Sequence, residues 1–211
     1  MKVLNLYSGI GGNRKLWTDV EVTAVELNPE IAKIYQDFFP EDKVIVADAH
    51  QYLLDHFKEF DFIWSSPPCP THSRIRQNTA VARGQNDPVY IDMKLYQEII
   101  FLKYNFGGDW IVENVIPYYK PLIPPSVELH RHIFWSNYYI PNTKVVDDRT
   151  HNAIKVNSSV YGFNLSNYNV PNRVMMLRNM VNPEVANYIL NCAKDYTEPI
   201  QEGLFQQTEK V

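Results

Sequence analysis

The chain has 211 residues, an ordinary globular balance of 45% apolar and 21% charged residues, and a formal net charge of −4. That length suits one domain with a real core, and the charge excludes a strongly basic chain, so any nucleic-acid contact has to come from a local basic patch. The two cysteines, Cys69 and Cys192, are far apart and unpatterned, which argues against a disulfide scaffold; with no charged-then-apolar leader and no long apolar span, the expectation is a soluble, cytoplasmic protein with no membrane contact.

Lys2–Tyr7 reads as a strand, followed at once by Ser8-Gly9-Ile10-Gly11-Gly12 and a short helical stretch, Asn13–Trp17. Strand, Gly-rich turn and helix make a nucleotide-type cradle: glycine lets the backbone approach a ligand, and helix-start N–H groups receive an anionic group. The spacing is not G-x-G-x-x-G, so the dinucleotide pattern is absent. Val22–Leu27 is the second strand and carries Glu26. Asn28 then caps a helix with Pro29 at its first position. Pro29–Phe39 places Ile31, Ile34, Tyr35 and Phe38 on one face until Pro40 stops it. An acidic residue at Glu26 can hold ribose hydroxyls or supply a helix N-terminal charge, and both readings stand. Val44–Ala47 is the third strand and ends at Asp48. A helix over Ala49–Phe60 follows, with Tyr52, Leu53, His56 and Phe57 inward and His50 and His56 at its boundary without a role.

Asp61–Trp64, the fourth strand, runs through Ser65 and Ser66 into Pro67-Pro68-Cys69-Pro70. Three prolines stiffen this loop by fixing φ and removing donors. Cys69 on it is either an inert half-buried thiol or a nucleophile placed where open α/β sheets bind ligands. Gln77–Pro88 is polar and is expected to form a mobile flap. Ile91–Asn105 is an amphipathic helix with Met93, Tyr96, Ile99, Ile100 and Lys103 near helical spacing, ended by Gly107-Gly108. Trp110–Glu113 is the fifth strand. The Gly turn, Glu26, Asp48, Cys69 and Glu113 all fall at strand ends, and in a parallel sheet such ends share one edge. The expected fold is α/β, a doubly wound, mostly parallel sheet.

The pieces LYSGIGG, VELNPE, VADAHQYL, SSPPCPTHSR, WIVENV, LHRHIFWSN and RNMVNPEVANYI stand in this order between Met1 and Leu190. In sequence and order they resemble the DNA cytosine-5 methyltransferases, with Pro-Pro-Cys and Glu-Asn-Val the most specific matches. The resemblance implies a class I S-adenosylmethionine-dependent fold, one catalytic domain over 1–195, no metal, and methyl transfer from S-adenosylmethionine to C5 of a cytosine flipped out of double-stranded DNA, as in restriction-modification. It implies Cys69 as the nucleophile at C6, Glu113 at the N3 and amine edge of the base, and Arg131 supporting the base carbonyl. For the cofactor it implies Tyr7 near the adenine ring or methionine end, and Gly9, Gly11 and Gly12 under the amino-acid portion. Glu26 then takes the ribose hydroxyls and Asp48 the adenine amine. Pro67 borders the methyl-donor pocket, and Asn179 with Val181 closes it from the C-terminal side.

Several positions depart from the family pattern. Asn5 stands where Asp is usual. Pro70 and Thr71 replace the Gln that usually follows the Cys. His130-Arg131-His132 carries a single Arg. Arg74 and Arg76 are phosphate contacts or solvated charges, weighed equally. The recognition region is reduced to an insert near 141–173. Pro141–Asn157 has room for one strand and a loop, with Ala153–Val156 the candidate strand, so base readout has few side chains to use. Two alternatives share the same chemistry: an RNA (tRNA) cytosine-5 methyltransferase, and the catalytic subunit of a two-chain DNA enzyme with a separate recognition partner. A non-catalytic binder has no need of both Cys69 and Glu113. The polar tail 196–211 is expected to be flexible. In it Gln201, Leu204 and Phe205 resemble the Gln-x-x-Leu-Phe peptides that dock on a bacterial sliding clamp, against the alternative of a chance match. A small enzyme of this kind suits a bacterial or phage-infected cell.

Overall fold

The apolar residues of the central strands alternate with a period of two. In β1 (Lys2–Leu6), Val3 joins one buried cluster while Leu4 and Leu6 join a second. In β4 (Phe62–Ser65), Phe62 and Trp64 face the first cluster and Ile63 the second. β5 (Asp109–Val115) divides Ile111 from Trp110 and Val112, and β7 (His132–Ser136) divides Phe134 from Ile133 and Trp135. Strands apolar on both sides need cover on both faces, which is the condition for a doubly wound sheet. The computed structural model, which describes residues 1–74, 76–84, 87, 89–143 and 159–195, meets that condition.

With β2 (Glu21–Glu26), β3 (Lys43–Val46) and β6 (Val127–Leu129), the sheet has seven strands in the order β3-β2-β1-β4-β5-β7-β6. Strands β1 to β5 pair in parallel; β7 runs antiparallel to β5, and β6 antiparallel to β7. The expected doubly wound, mostly parallel α/β fold is therefore present. One face is covered by α2 (Ala49–His56) and α3 (Lys94–Asn105), through Leu53, Leu95, Tyr96, Ile99 and Leu102. The other is covered by α5 (Pro183–Asp195), through Val185, Ala186, Ile189, Leu190 and Ala193. Buried Asn182 starts α5: its Oδ1 accepts from Glu184 N at 2.8 Å, with Pro183 at the first position. Helices α1 (Pro29–Phe38) and α4 (Arg173–Asn179) contribute to a third cluster with Ile10, Phe163 and Leu165. Phe163 comes from a small hairpin of β8 (Ser159–Val160) and β9 (Phe163–Asn164). Its two turn residues, Tyr161 and Gly162, have φ of 52° and 78°, the positive values that tight hairpins require.

Two helices differ from expectation. The helix expected from Ile91 starts at Lys94, because Asp92 Oδ1 accepts from Lys94 N (2.9 Å) while Asp92 N donates to Thr71 Oγ1 (3.1 Å), which ties the helix start to the Cys69 loop. Its buried face is Leu95, Tyr96, Glu98, Ile99 and Leu102, whereas Met93, Ile100 and Lys103 are exposed. The helix expected over Ala49–Phe60 ends at His56 and tightens into a single 3-10 turn, Phe57–Glu59. Arg131 sits in the two-residue turn between β6 and β7, after His130 at φ 58°. A helical stretch, Arg76–Val81, takes in the first residues of the expected flap, Gln77–Pro88. Ala153–Val156 and the tail residues Gln201, Leu204 and Phe205 lie outside the described residues. Among the described residues no helix is long and apolar enough to cross a membrane.

Candidate active site

The carboxyl ends of β1, β2, β4 and β5 open onto one cleft of about 1770 Å³. At its β1–β2 end the backbone turns at Tyr7 (φ 54°) and Gly9 (φ 53°). A Cβ built on Gly9 has nothing within 4 Å, so this turn borders open space. Glu26 is fixed over it: Oε2 accepts from Gly9 N (3.0 Å) and Oε1 from Asn28 N (2.9 Å). A carboxylate has about four acceptor sites, so both oxygens retain capacity for hydroxyl donors. Asp48 caps α2 by accepting from Gln51 N at 2.9 Å, and that bond holds its carboxyl below the usual range. Ser8 Oγ is buried with no hydrogen-bond partner among the described residues and lines the cleft.

Gly12 also lines the cleft, yet its small size answers to packing. A Cβ there meets Met180 Cβ at 2.6 Å, so Gly12 is what lets the Met180–Val181 segment close onto the first loop. Gly11 departs from its expected place. It does not line the cleft, and a Cβ on it runs into Phe39 at 2.3 Å and Tyr35 at 2.9 Å. Asn5 is fully buried and pairs with Asn13 (2.7 Å from Asn13 Nδ2), pinning the 3-10 turn Asn13–Leu16 against β1.

At the other end, Cys69 is half-buried on its proline loop, and its carbonyl accepts from His72 N (3.0 Å) and Ser73 N (3.1 Å). His72 anchors the loop from below: it is buried and its Nδ1 pairs with Tyr119 OH at 2.6 Å. Burial lowers its pKa, so it stays neutral. Glu113 on β5 is buried, and burial pushes its carboxyl up to about 7 against the pull of a hydrogen bond from Ser66. Burial, and then the Glu113 charge, push the Cys69 thiol up to about 11. His132 Nε2 lies 3.5 Å from Glu113 Oε1, and burial pushes its imidazole down to about 3, so it faces Glu113 uncharged. Arg131 donates from Nη2 to Arg178 O at 3.4 Å, and its Nε is buried without a hydrogen-bond partner among the described residues.

The cleft brings together Cys69, Glu113 and Arg131 with Tyr7, Gly9, Gly12, Glu26 and Asp48, and with Pro67, Asn179, Val181, Arg74 and Arg76. Sequence reasoning passed over Ser66, Asn114 and His132. Asn114 is buried and donates from Nδ2 to Pro67 O at 3.0 Å, so Glu-Asn-Val supplies a carboxyl to the cleft and an amide to the loop. The Glu-Asn-Val match was a signal for Asn114; nothing local marked Ser66.

Residues 1–115 match the model of the C-5 cytosine-specific DNA methylase family, more than half of the chain. The chain belongs to this family. Two curated relatives are tRNA (cytosine(38)-C(5))-methyltransferases. The Spodoptera frugiperda protein is 34% identical over 80 residues, covering 35% of this chain and 24% of the relative. The Homo sapiens protein is 30% identical over 82 residues, covering 36% and 21%. The matched stretch thus spans under a quarter of each relative's length. A crystal structure of a Spodoptera frugiperda DNMT2 mutant aligns over 54% of this chain and 35% of that one, with 28% identity and a TM-score of 0.39. The methyl donor of the C-5 methylase family is S-adenosylmethionine. The open space over Gly9, the orphaned Ser8 hydroxyl and the fixed Glu26 carboxylate fit its amino-acid and ribose portions.

Proposed function

We propose that this C-5 methylase family member methylates C5 of a cytosine in DNA, with Cys69 as covalent nucleophile. The observation that carries the reading is that Cys69 and Glu113 face the same cleft as Gly9 and Glu26. When bound at the Gly9–Glu26 end, S-adenosylmethionine supplies an electrophilic methyl group on sulfur. Cytosine C5 is too weak a nucleophile to take it unaided. Cys69 gives up its thiol proton to solvent, the thiolate adds to C6, the C5–C6 π electrons shift, and C5 gains enamine character. Glu113, whose pKa burial raises to about 7, hydrogen-bonds N3 in its protonated form and offsets the charge that builds on the ring. Arg131 supports the base carbonyl. After methylation the C5 proton leaves to solvent, the C6–S bond breaks, and Cys69 departs with the bonding electrons. The base must leave the stack for this geometry, and Arg74 and Arg76 at the cleft supply phosphate contacts.

One specific observation favours a second reading, tRNA as substrate: both curated relatives are named for tRNA. Labelled methyl transfer to duplex DNA and to tRNA, run side by side, separates the two. Label in DNA, located at C5 by bisulfite sequencing, supports the first reading; label only in tRNA replaces it. A recognition partner is required if the protein binds S-adenosylmethionine but labels neither substrate until a second polypeptide is added.

A further inference from the structure

One buried carboxylate has no part in the chemistry above. Glu98 lies on the inner face of α3, fully buried among Leu95, Ile99 and Leu102. A carboxylate removed from water persists only where donors fill its lone pairs. Three donors do so here. Tyr7 OH donates to Oε1 at 2.5 Å, His50 Nδ1 pairs with Oε1 at 3.1 Å, and Ser65 donates to Oε2. Their sequence separations from Glu98 are 91, 48 and 33 residues, so the cluster exists only in the fold.

Each donor adjoins a different part of the cleft. Tyr7 follows β1 and lines the cleft, with a left-handed backbone that is uncommon for a residue bearing a Cβ. Ser65 ends β4, and the next residues are Ser66, which hydrogen-bonds Glu113, and Pro67, whose carbonyl Asn114 holds. His50 follows Asp48, the cap of α2. A residue needed only for packing at this point of α3 is served by leucine, as its neighbours are.

We propose that Glu98 is a positioning residue that sets the cofactor wall and the Cys69 loop against each other. The inference rests on the reading that this cleft takes S-adenosylmethionine beside a nucleophilic Cys69. Glu98 touches neither; it acts through Tyr7 on one side and Ser65 on the other.

The test uses the full chain carrying Cys192→Ala, so that Cys69 is the remaining thiol, with three readouts: calorimetric affinity for S-adenosylmethionine, the rate of Cys69 alkylation by iodoacetamide without cofactor, and the melting temperature. Glu98→Gln is expected to weaken cofactor binding at least fivefold and to change the alkylation rate at least threefold. Tyr7→Phe should move only the first and Ser65→Ala only the second, a division that general loosening of the core does not produce. The proposal is overturned if Glu98→Gln leaves both readouts within twofold, or if Tyr7→Phe and Ser65→Ala each move both in step with the melting temperature. Glu98→Leu, which keeps the volume and removes the acceptor, should exceed Glu98→Gln in both; if it does not fold, Glu98→Gln decides alone. Failure of the parent protein to bind S-adenosylmethionine overturns the reading of the cleft itself, whereas binding that is indifferent to Glu98 overturns only the positioning role.

Discussion

The two ends of the cleft are built on different terms. At the cofactor end most polar groups are already satisfied within the chain: Glu26 by two backbone N–H groups, Asp48 by Gln51, Tyr7 by Glu98. At the base end the groups are at odds with their surroundings. Cys69 is pushed up to about 11, Glu113 up to about 7 and His132 down to about 3, while Arg131 Nε has no hydrogen-bond partner among the described residues. A site that only binds gains from pre-paired groups. A site that does covalent chemistry needs groups whose preferred charge changes when the substrate arrives. The contrast supports the proposed division, with holding at one end and reaction at the other.

Its largest consequence concerns Cys69. Cys69→Ala should lower methyl transfer by about 10⁴-fold or more, the scale seen when a covalent nucleophile is removed, while cofactor affinity by calorimetry stays within about twofold of wild type. A 5-fluorocytosine-containing substrate should trap wild type and not the variant, because fluorine cannot leave C5 as the proton does. An active preparation with no Cys69-dependent trapped complex contradicts the mechanism.

The next effect separates activity from stability at one residue. Glu113→Gln should reduce methyl transfer by about 10²- to 10⁴-fold and yet stabilise the protein at high pH. The folded state holds the Glu113 proton up to about pH 7, whereas the unfolded chain releases it near the ordinary value of 4.5. The folded state therefore has its full advantage below 4.5 and loses it as pH rises through 7. The amide is exempt from that loss, so its stability relative to wild type should rise between pH 4 and pH 8 by up to about 3 kcal/mol. Chemical denaturation at the two pH values measures this, and a pH-independent difference removes the buried-proton account. The same change should speed Cys69 alkylation, because the Glu113 charge is one cause of the raised thiol pKa.

The same contrast accounts for what could be read from sequence. The cofactor end was legible because each part is local: Asn28 and Pro29 start α1, Asp48 starts α2, and glycines mark the first turn. The family motifs placed Cys69, Glu113 and Arg131 at the same cleft. What stayed hidden depends on long-range partners. Glu98 at helical spacing reads as a solvated charge, since Tyr7, Ser65 and His50 are far off in the chain, and His50 looked like a boundary residue for the same reason. The face of α3 was misjudged because Met93 and Ile100 are as apolar as the residues that are buried. Gly11 and Gly12 look alike as letters. Only the positions of Phe39 and Met180 show that both also answer to close packing.

A smaller effect probes the cofactor end. Glu26→Ala removes two acceptors of backbone N–H groups and the carboxylate proposed to take the ribose hydroxyls. Hydrogen bonds to a charged group are worth about 1.5–3 kcal/mol, so affinity for S-adenosylmethionine should fall about tenfold to a hundredfold, with Cys69 alkylation unchanged. A parallel loss in Cys69 reactivity means that the two ends are not separable in the way their hydrogen bonding indicates.

The smallest expected effect decides what Arg74 and Arg76 do. Both line the cleft, Arg74 is exposed, and among the described residues the Arg76 side chain donates to the carbonyl of Asp87, at 3.5 Å. As phosphate contacts they act through counterion release, which gives a slope of log affinity against log salt of about −0.9 per phosphate on duplex DNA and about −0.7 on single strands. Arg74→Ala and Arg76→Ala should each make that slope shallower by about one such step, weaken binding a few-fold at moderate salt, and do so equally across substrate sequences. Neither should alter S-adenosylmethionine affinity if they serve the proposed phosphate contacts. An unchanged slope in both variants means that they are solvated charges, and that the chain's grip on its substrate comes from elsewhere, with Arg131, Arg173 and Arg178 along the same cleft as the next residues to change.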